Sequence, residues 1–126
     1  MPVTFNLTPE KLAIYRATAQ RRREQEKADL ARRWEQAWTT ARQAAQFLKE
    51  QFKATRIVVF GSLAHQSGFT RWSDADIAVW GIAPEDTFRA IGAVMDLDTE
   101  IPVNLVDVNT CRPSLLRVIE QDGIDL

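Results

Sequence analysis

Phe60-Gly61-Ser62-Leu63-Ala64-His65 and Ser73-Asp74-Ala75-Asp76-Ile77-Ala78-Val79, with eleven residues between Ser62 and Asp74, are the stretches whose reading decides the fold. Ile57 to Phe60 is a β-branched run that stops at Gly61-Ser62, and Asp76 to Trp80 is a second such run. Alternate residues of a strand share a face, so Asp74 and Asp76 point one way while Ala75, Ile77 and Val79 point the other, into a core. Two carboxylates forced together repel unless a cation binds, and Mg²⁺, which favours carboxylate, water and phosphate oxygens, is a natural counterion. A surface Asp-x-Asp also serves as plain turn and cap chemistry. The Gly61-Ser62 turn has two readings as well. It is a sharp strand-to-helix connection that welcomes glycine, or a loop aiming backbone N–H groups and the Ser62 hydroxyl at a phosphate, aided by the positive end of a following helix.

Outward from this centre, Val103 to Val108 is a third strand. Pro84-Glu85-Asp86 opens a helix with apolar positions Phe88, Ile91, Val94 and Met95, and Ser114 to Gln121 forms a last short helix stopped by Gly123. Upstream, Thr8-Pro9-Glu10 is a helix start: a capping hydroxyl, a proline with no N–H to lose, and an acid at the positive dipole end. No Gly or Pro follows until Gly61. Leu30, Trp34, Trp38, Ala41, Ala45, Leu48 and Phe52 recur at helical spacing and form a face to be buried. Arg16 to Asp29, with Arg21-Arg22-Arg23, has no apolar stripe. One helix from Pro9 to Phe52 would be about 66 Å long, so its first half projects or folds back. Leu12, Ile14 and Tyr15 near its tip are candidate contacts for a partner or a second copy. The expected order is α-β-α-β-α-β-α. Residues 1–55 form a helical arm whose second half packs on a core of residues 56–126.

The chain has 126 residues, 45% hydrophobic and 26% charged, which suits one globular domain. Its longest apolar stretch, Ile77 to Ala83, falls far short of the roughly 20 residues a membrane span needs. Met1 to Asn6 lacks the basic start and apolar run of a signal peptide, so a cytoplasmic location is expected. A single cysteine, Cys111, allows no internal disulfide, and a single histidine, His65, no His-rich zinc site. Charge is segregated: residues 1–56 carry 12 Lys+Arg against 6 Asp+Glu (+6), and residues 57–126 carry 4 against 11 (−7). No aromatic residue interleaves the arginine cluster to stack on bases, so direct nucleic-acid binding is not expected.

Taken together, the Gly-Ser turn, the spacer and the Asp-x-Asp strand resemble the signature of the nucleotidyltransferase superfamily with the DNA polymerase β fold. The closer likeness is to its minimal nucleotidyltransferases, small proteins commonly paired with HEPN-domain toxins in prokaryotic toxin–antitoxin modules. It covers about Arg56 to Leu126, including the tail Glu120-Gln121-Asp122-Gly123-Ile124, and leaves the N-terminal helix unexplained. The resemblance implies an α+β fold with a small mixed sheet flanked by helices, in which Gly61 and Ser62 hold an NTP triphosphate and Asp74 and Asp76 coordinate Mg²⁺. A nucleoside monophosphate, AMP from ATP, would then pass to a hydroxyl of a HEPN-type partner and neutralise it. Three departures stand out. The family's Ala-Arg-Gly after Gly-Ser reads Ala64-His65-Gln66. The third carboxylate of the catalytic set falls on Asn104, which cannot act as a base; Asp107 has the opposite strand parity and Glu100 lies before Pro102. Trp72 and Trp80 flank the Asp pair, either bordering the nucleotide or sealing the sheet. The alternative function is a binding antitoxin of this fold that masks its partner by contact, with little chemistry left.

Overall fold

Thr8 begins the first helix as expected: its hydroxyl accepts a hydrogen bond from the Lys11 N–H at 3.2 Å, with Pro9 in the first turn. The computed structural model describes residues 7–98 and 100–126; Met1 to Asn6, read above for a leader, lie outside the described residues. Helix α1 runs unbroken over Pro9–Phe52 and ends at Lys53, whose backbone is left-handed with φ 59°. Its N-terminal half projects: Leu12, Ile14 and Tyr15 are exposed, and burial begins in earnest at Ala37. From there Trp38, Ala41, Ala44, Ala45 and Leu48 are buried against the sheet, while Leu30, Trp34 and Phe52 are partly covered. The small residues let the helix axis approach the sheet closely; the indoles of Trp34 and Trp38 meet edge to face, centroids 6.0 Å apart.

Strand β1 (Arg56–Phe60) pairs antiparallel with β2 (Ala75–Trp80), and β2 pairs parallel with β3 (Val103–Asp107) through the crossover helix α2 (Thr87–Met95). Helix α3 (Pro113–Asp122) follows, and then a strand absent from the expected order. This β4 (Ile124–Asp125) adds antiparallel to β1, so the sheet order is β3-β2-β1-β4. Two residues carry too little periodicity to read as a strand. They are placed by Gly123, where a Cβ would lie 2.2 Å from Val58 Cγ1 and 2.4 Å from the Ile119 carbonyl oxygen. Arg56 locks this edge by pairing with Glu120 at 2.7 Å and Asp125 at 2.8 Å while stacking on Trp80.

The two sheet faces are unequal. Ile57, Val59, Ala75, Ile77, Val79, Val103 and Leu105 face α1 and α2 in the main core. Val58, Phe60, Ala78 and Ile119 form a smaller core under α3. Two expectations need correction. No α-helix follows β1: the chain makes two short 3₁₀ turns, Gly61–Leu63 and Gln66–Gly68, because Gly61 and Gly68 break the run before a helix can propagate. In α2, Ala90 and Val94 are buried, whereas Phe88 is 87% exposed and Met95 is exposed. The 3₁₀ turn Pro84–Asp86 opens the element, and α2 begins at Thr87 with its small-residue side toward β3.

Candidate active site

Asp74 and Asp76 stand at the entry to β2, and the parallel register sets Asp76 directly across from Asn104 on β3. The Asn104 Nδ2 donates to Asp74 Oδ2 at 3.2 Å and to Asp76 Oδ1 at 3.0 Å, so both carboxylates turn toward one amide. Three of the five residues marked by the sequence are thereby brought together. Strand alternation does this: Ala75, Ile77, Val103 and Leu105 are anchored in the core, which turns Asp76 and Asn104 to the opposite face. Beyond the smaller core that face is uncovered. Asn104 is exposed and the two aspartates are half-buried.

Gly61 lies beside the same group, with Ser62 next to it in the turn. The last pair of the β1–β2 ladder matches Phe60 with Asp76, so the turn that leaves β1 starts beside the carboxylate. Gly61 has φ 69°, where side chains are strained, and a Cβ there would lie 2.7 Å from Asp76 Oδ2. Both its conformation and the space it leaves are required. The Ala64 and His65 N–H groups close the turn onto the Gly61 and Ser62 carbonyls at 3.1 and 3.2 Å. The following element is one 3₁₀ turn, so any anion there would be met by individual N–H groups and the Ser62 hydroxyl, without a long helix dipole.

Burial pushes the Asp76 carboxyl above its ordinary value; the Asn104 hydrogen bond opposes the shift, and the nearby Asp74 charge adds to it. A cation would relieve the same repulsion. The donor set suits Mg²⁺ in chemistry: two carboxylates on an open face leave room for water and phosphate ligands. Among the described residues no group of three or more His, Cys, Asp and Glu side chains converges for a metal.

The carboxylates named as substitutes for the third position are held elsewhere. Asp107 is buried on the α2 face, where it accepts from the Thr87 hydroxyl at 2.8 Å and the Asn109 N–H at 3.0 Å. Glu100 accepts from the Gln36 amide on α1 at 3.2 Å. His65 is exposed in the turn. Trp80 lies at the far end of β2 from Asp76, half-buried on the smaller core under Arg56, and so seals the sheet. Trp72, two residues before Asp74, is 73% exposed with the Arg71 guanidinium 4.2 Å from its ring centre. A surface hollow of about 710 Å³ is lined by Ile91, Leu105, Asp107, Cys111 and Leu115; Asp74, Asp76 and Asn104 take no part in it.

Sequence periodicity missed a second, polar stripe on α1. Thr40 donates to Asp98 at 2.7 Å, Gln36 to Asp98 at 3.3 Å, and Arg33 to the Ser73 carbonyl at 2.9 Å. Their i, i+3, i+7 spacing was the available signal; it was masked because the same turns carry the tryptophans.

No helix among the described residues is long and apolar enough to cross a membrane. No curated protein matches the chain in sequence. Solved structures share its fold. A chain from a mutant MntA-HpeT toxin-antitoxin crystal structure is 22% identical, with TM-score 0.54 over 68% of this chain and 69% of that one. A chain from a toxin-antitoxin crystal structure with AMP-PNP is 24% identical, with TM-score 0.53 over 64% and 67%. One from the toxin-antitoxin MntA-HepT is 18% identical, with TM-score 0.51 over 70% and 69%. The nucleotidyltransferase domain model matches residues 41–126, which include the Gly-Ser turn, the Asp-x-Asp strand and Asn104, and the chain therefore belongs to the nucleotidyltransferase domain family.

Proposed function

We infer that this chain is a Mg²⁺-dependent nucleotidyltransferase of the antitoxin type, moving AMP from ATP onto a hydroxyl of a HEPN-type toxin and thereby neutralising it. The observation that carries this reading is the convergence of Asp74, Asp76 and Asn104 beside the Gly61-Ser62 turn. Family membership supports the reaction class, and the fold shared with toxin-antitoxin chains, one solved with AMP-PNP, supports the nucleotide and the kind of partner. The site is open rather than a closed pocket, which suits an acceptor presented by another protein better than an engulfed small molecule.

In this reading Asp74 and Asp76 hold Mg²⁺, which when bound neutralises the triphosphate and the charge growing on the leaving pyrophosphate. The Ser62 hydroxyl and the turn's N–H groups bind phosphate oxygens, and Gly61 keeps that loop pressed against Asp76. Asn104 aligns the two carboxylates by hydrogen bonding to both. Its amide cannot take the acceptor's proton, so of the three side chains only Asp74 and Asp76 can.

The test is the intact mass of a HEPN-type partner incubated with this chain, ATP and Mg²⁺. A gain of AMP that disappears with Asp76→Ala establishes transfer. A stable, neutralising complex with no added mass supports the second reading, a binding antitoxin. That reading draws on one observation: at position 104 an amide that donates to both carboxylates stands where a third carboxylate is expected.

A further inference from the structure

Arg33 lies on α1, before residue 41 where the family match begins. Its guanidinium fork reaches two loops that are distant in sequence. One terminal nitrogen donates to the Ser73 carbonyl at 2.9 Å, the other to the Glu100 carbonyl at 3.3 Å, and Nε is buried with no hydrogen bond. Ser73 is the residue before Asp74, and Glu100 precedes the strand that carries Asn104. The same two segments meet where the Ala75 N–H donates to the Pro102 carbonyl at 3.0 Å. Along the same side of α1, Gln36 and Thr40 grip Asp98, and Asp98 in turn accepts from the Glu100 and Ile101 N–H groups. Helix α1 thus grips both chain segments that enter the site, and the Arg33 fork bridges the two.

We propose that Arg33 is a positioning residue for the site: by tying the Ser73 and Glu100 carbonyls to α1 it sets the spacing of Asp74 and Asp76 from Asn104. A planar, always-charged fork suits this task because one rigid group satisfies two carbonyls at a fixed separation, which a single ammonium does not reproduce. The N-terminal helix is then part of the catalytic scaffold as well as a projecting arm. This inference rests on the reading of Asp74 and Asp76 as cation ligands.

The experiment is Mn²⁺ binding to the full chain by electron paramagnetic resonance, with amide hydrogen exchange measured alongside. The variants are Arg33→Met, Arg33→Lys, Asp76→Ala and Leu48→Val. Leu48→Val loosens α1 packing from a fully buried position roughly 22 Å along the helix from Arg33 and so serves as the destabilised control. Arg33→Met is expected to weaken Mn²⁺ binding about 10- to 100-fold, and to speed exchange at Ala75 and in 100–104. Arg33→Lys should not restore either property, and Leu48→Val should leave affinity intact. Wild-type affinity in Arg33→Met, with Asp76→Ala still abolishing binding, overturns the proposal alone. An equal loss in Leu48→Val also overturns it, by reducing Arg33 to general stability. No binding by the wild type, or binding unchanged in Asp76→Ala, overturns the cation-site reading and the proposal with it.

Discussion

Asn104 faces Asp76 across the parallel β2–β3 register and donates its amide N–H to Oδ1 at 3.0 Å, while the same nitrogen also reaches Asp74. The amide therefore performs without charge a service that a cation would perform with it, holding two like-charged groups side by side. Asn104→Asp removes this donor and adds a third carboxylate. Without divalent cation the variant should lose about 1–3 kcal/mol of stability, and Mg²⁺ should recover more of it than in the wild type. Thermal unfolding in chelator and in excess Mg²⁺ measures both; equal response of the two proteins to Mg²⁺ would refute the site. If transfer occurs, the same variant should raise its rate, since a carboxylate at 104 can accept the acceptor's proton.

Gly61 is constrained twice, by φ 69° and by the 2.7 Å that would separate its Cβ from Asp76 Oδ2. Gly61→Ala should cost about 1–2 kcal/mol for the left-handed backbone alone, with a further loss of cation affinity as Asp76 is displaced. Gly68→Ala is the comparison, because a Cβ there meets nothing within 4 Å. Urea unfolding of the two variants should separate them clearly.

Asp98 links α1 to the chain entering β3. Burial raises its carboxyl, but hydrogen bonds from the Glu100 N–H, Thr40, Gln36 and the Ile101 N–H outweigh this and hold it below the usual carboxylate value. The unfolded chain then takes up its proton first as pH falls. The contribution is complete above the ordinary aspartate pKa of about 3.9 and is lost as pH drops through the lower folded value. Asp98→Asn should be less stable than the wild type at neutral pH, and the gap should narrow under acid. Denaturation midpoints across that range decide it, and a gap that widens under acid would contradict the assignment.

Apolar residues at helical spacing do not all carry weight. Leu48 is fully buried and Leu48→Ala should cost about 2–5 kcal/mol. Phe88, 87% exposed, should tolerate Phe88→Ser within about 0.5 kcal/mol. Chemical denaturation of both gives the contrast.

Much of this architecture is written locally. The cap at Thr8, the apolar stripe from Trp38 to Leu48, the three main strands and the parity that turns Asp74 and Asp76 to one side are short-range properties read from spacing. The partial misses have equally physical causes. A helix after β1 was expected where Gly61 and Gly68 permit only single 3₁₀ turns, and Phe88 kept helical spacing while facing solvent, because Ala90 and Val94 let α2 approach β3 more closely.

The residues alone determined which groups carry chemistry: a glycine-serine turn, two alternating aspartates, and an asparagine where a carboxylate is expected. Only the tertiary structure decided what those groups meet. The parallel register of β3 put Asn104 against both aspartates, and the packing of α2 brought the Thr87 hydroxyl onto Asp107, whose opposite face was already set by strand parity. The fold also drew Ser73 and Glu100 onto Arg33, across separations of 40 and 67 residues. Spacing along a chain specifies a face, but a contact between distant segments depends on how sheet and helix pack in three dimensions, and no local pattern records that.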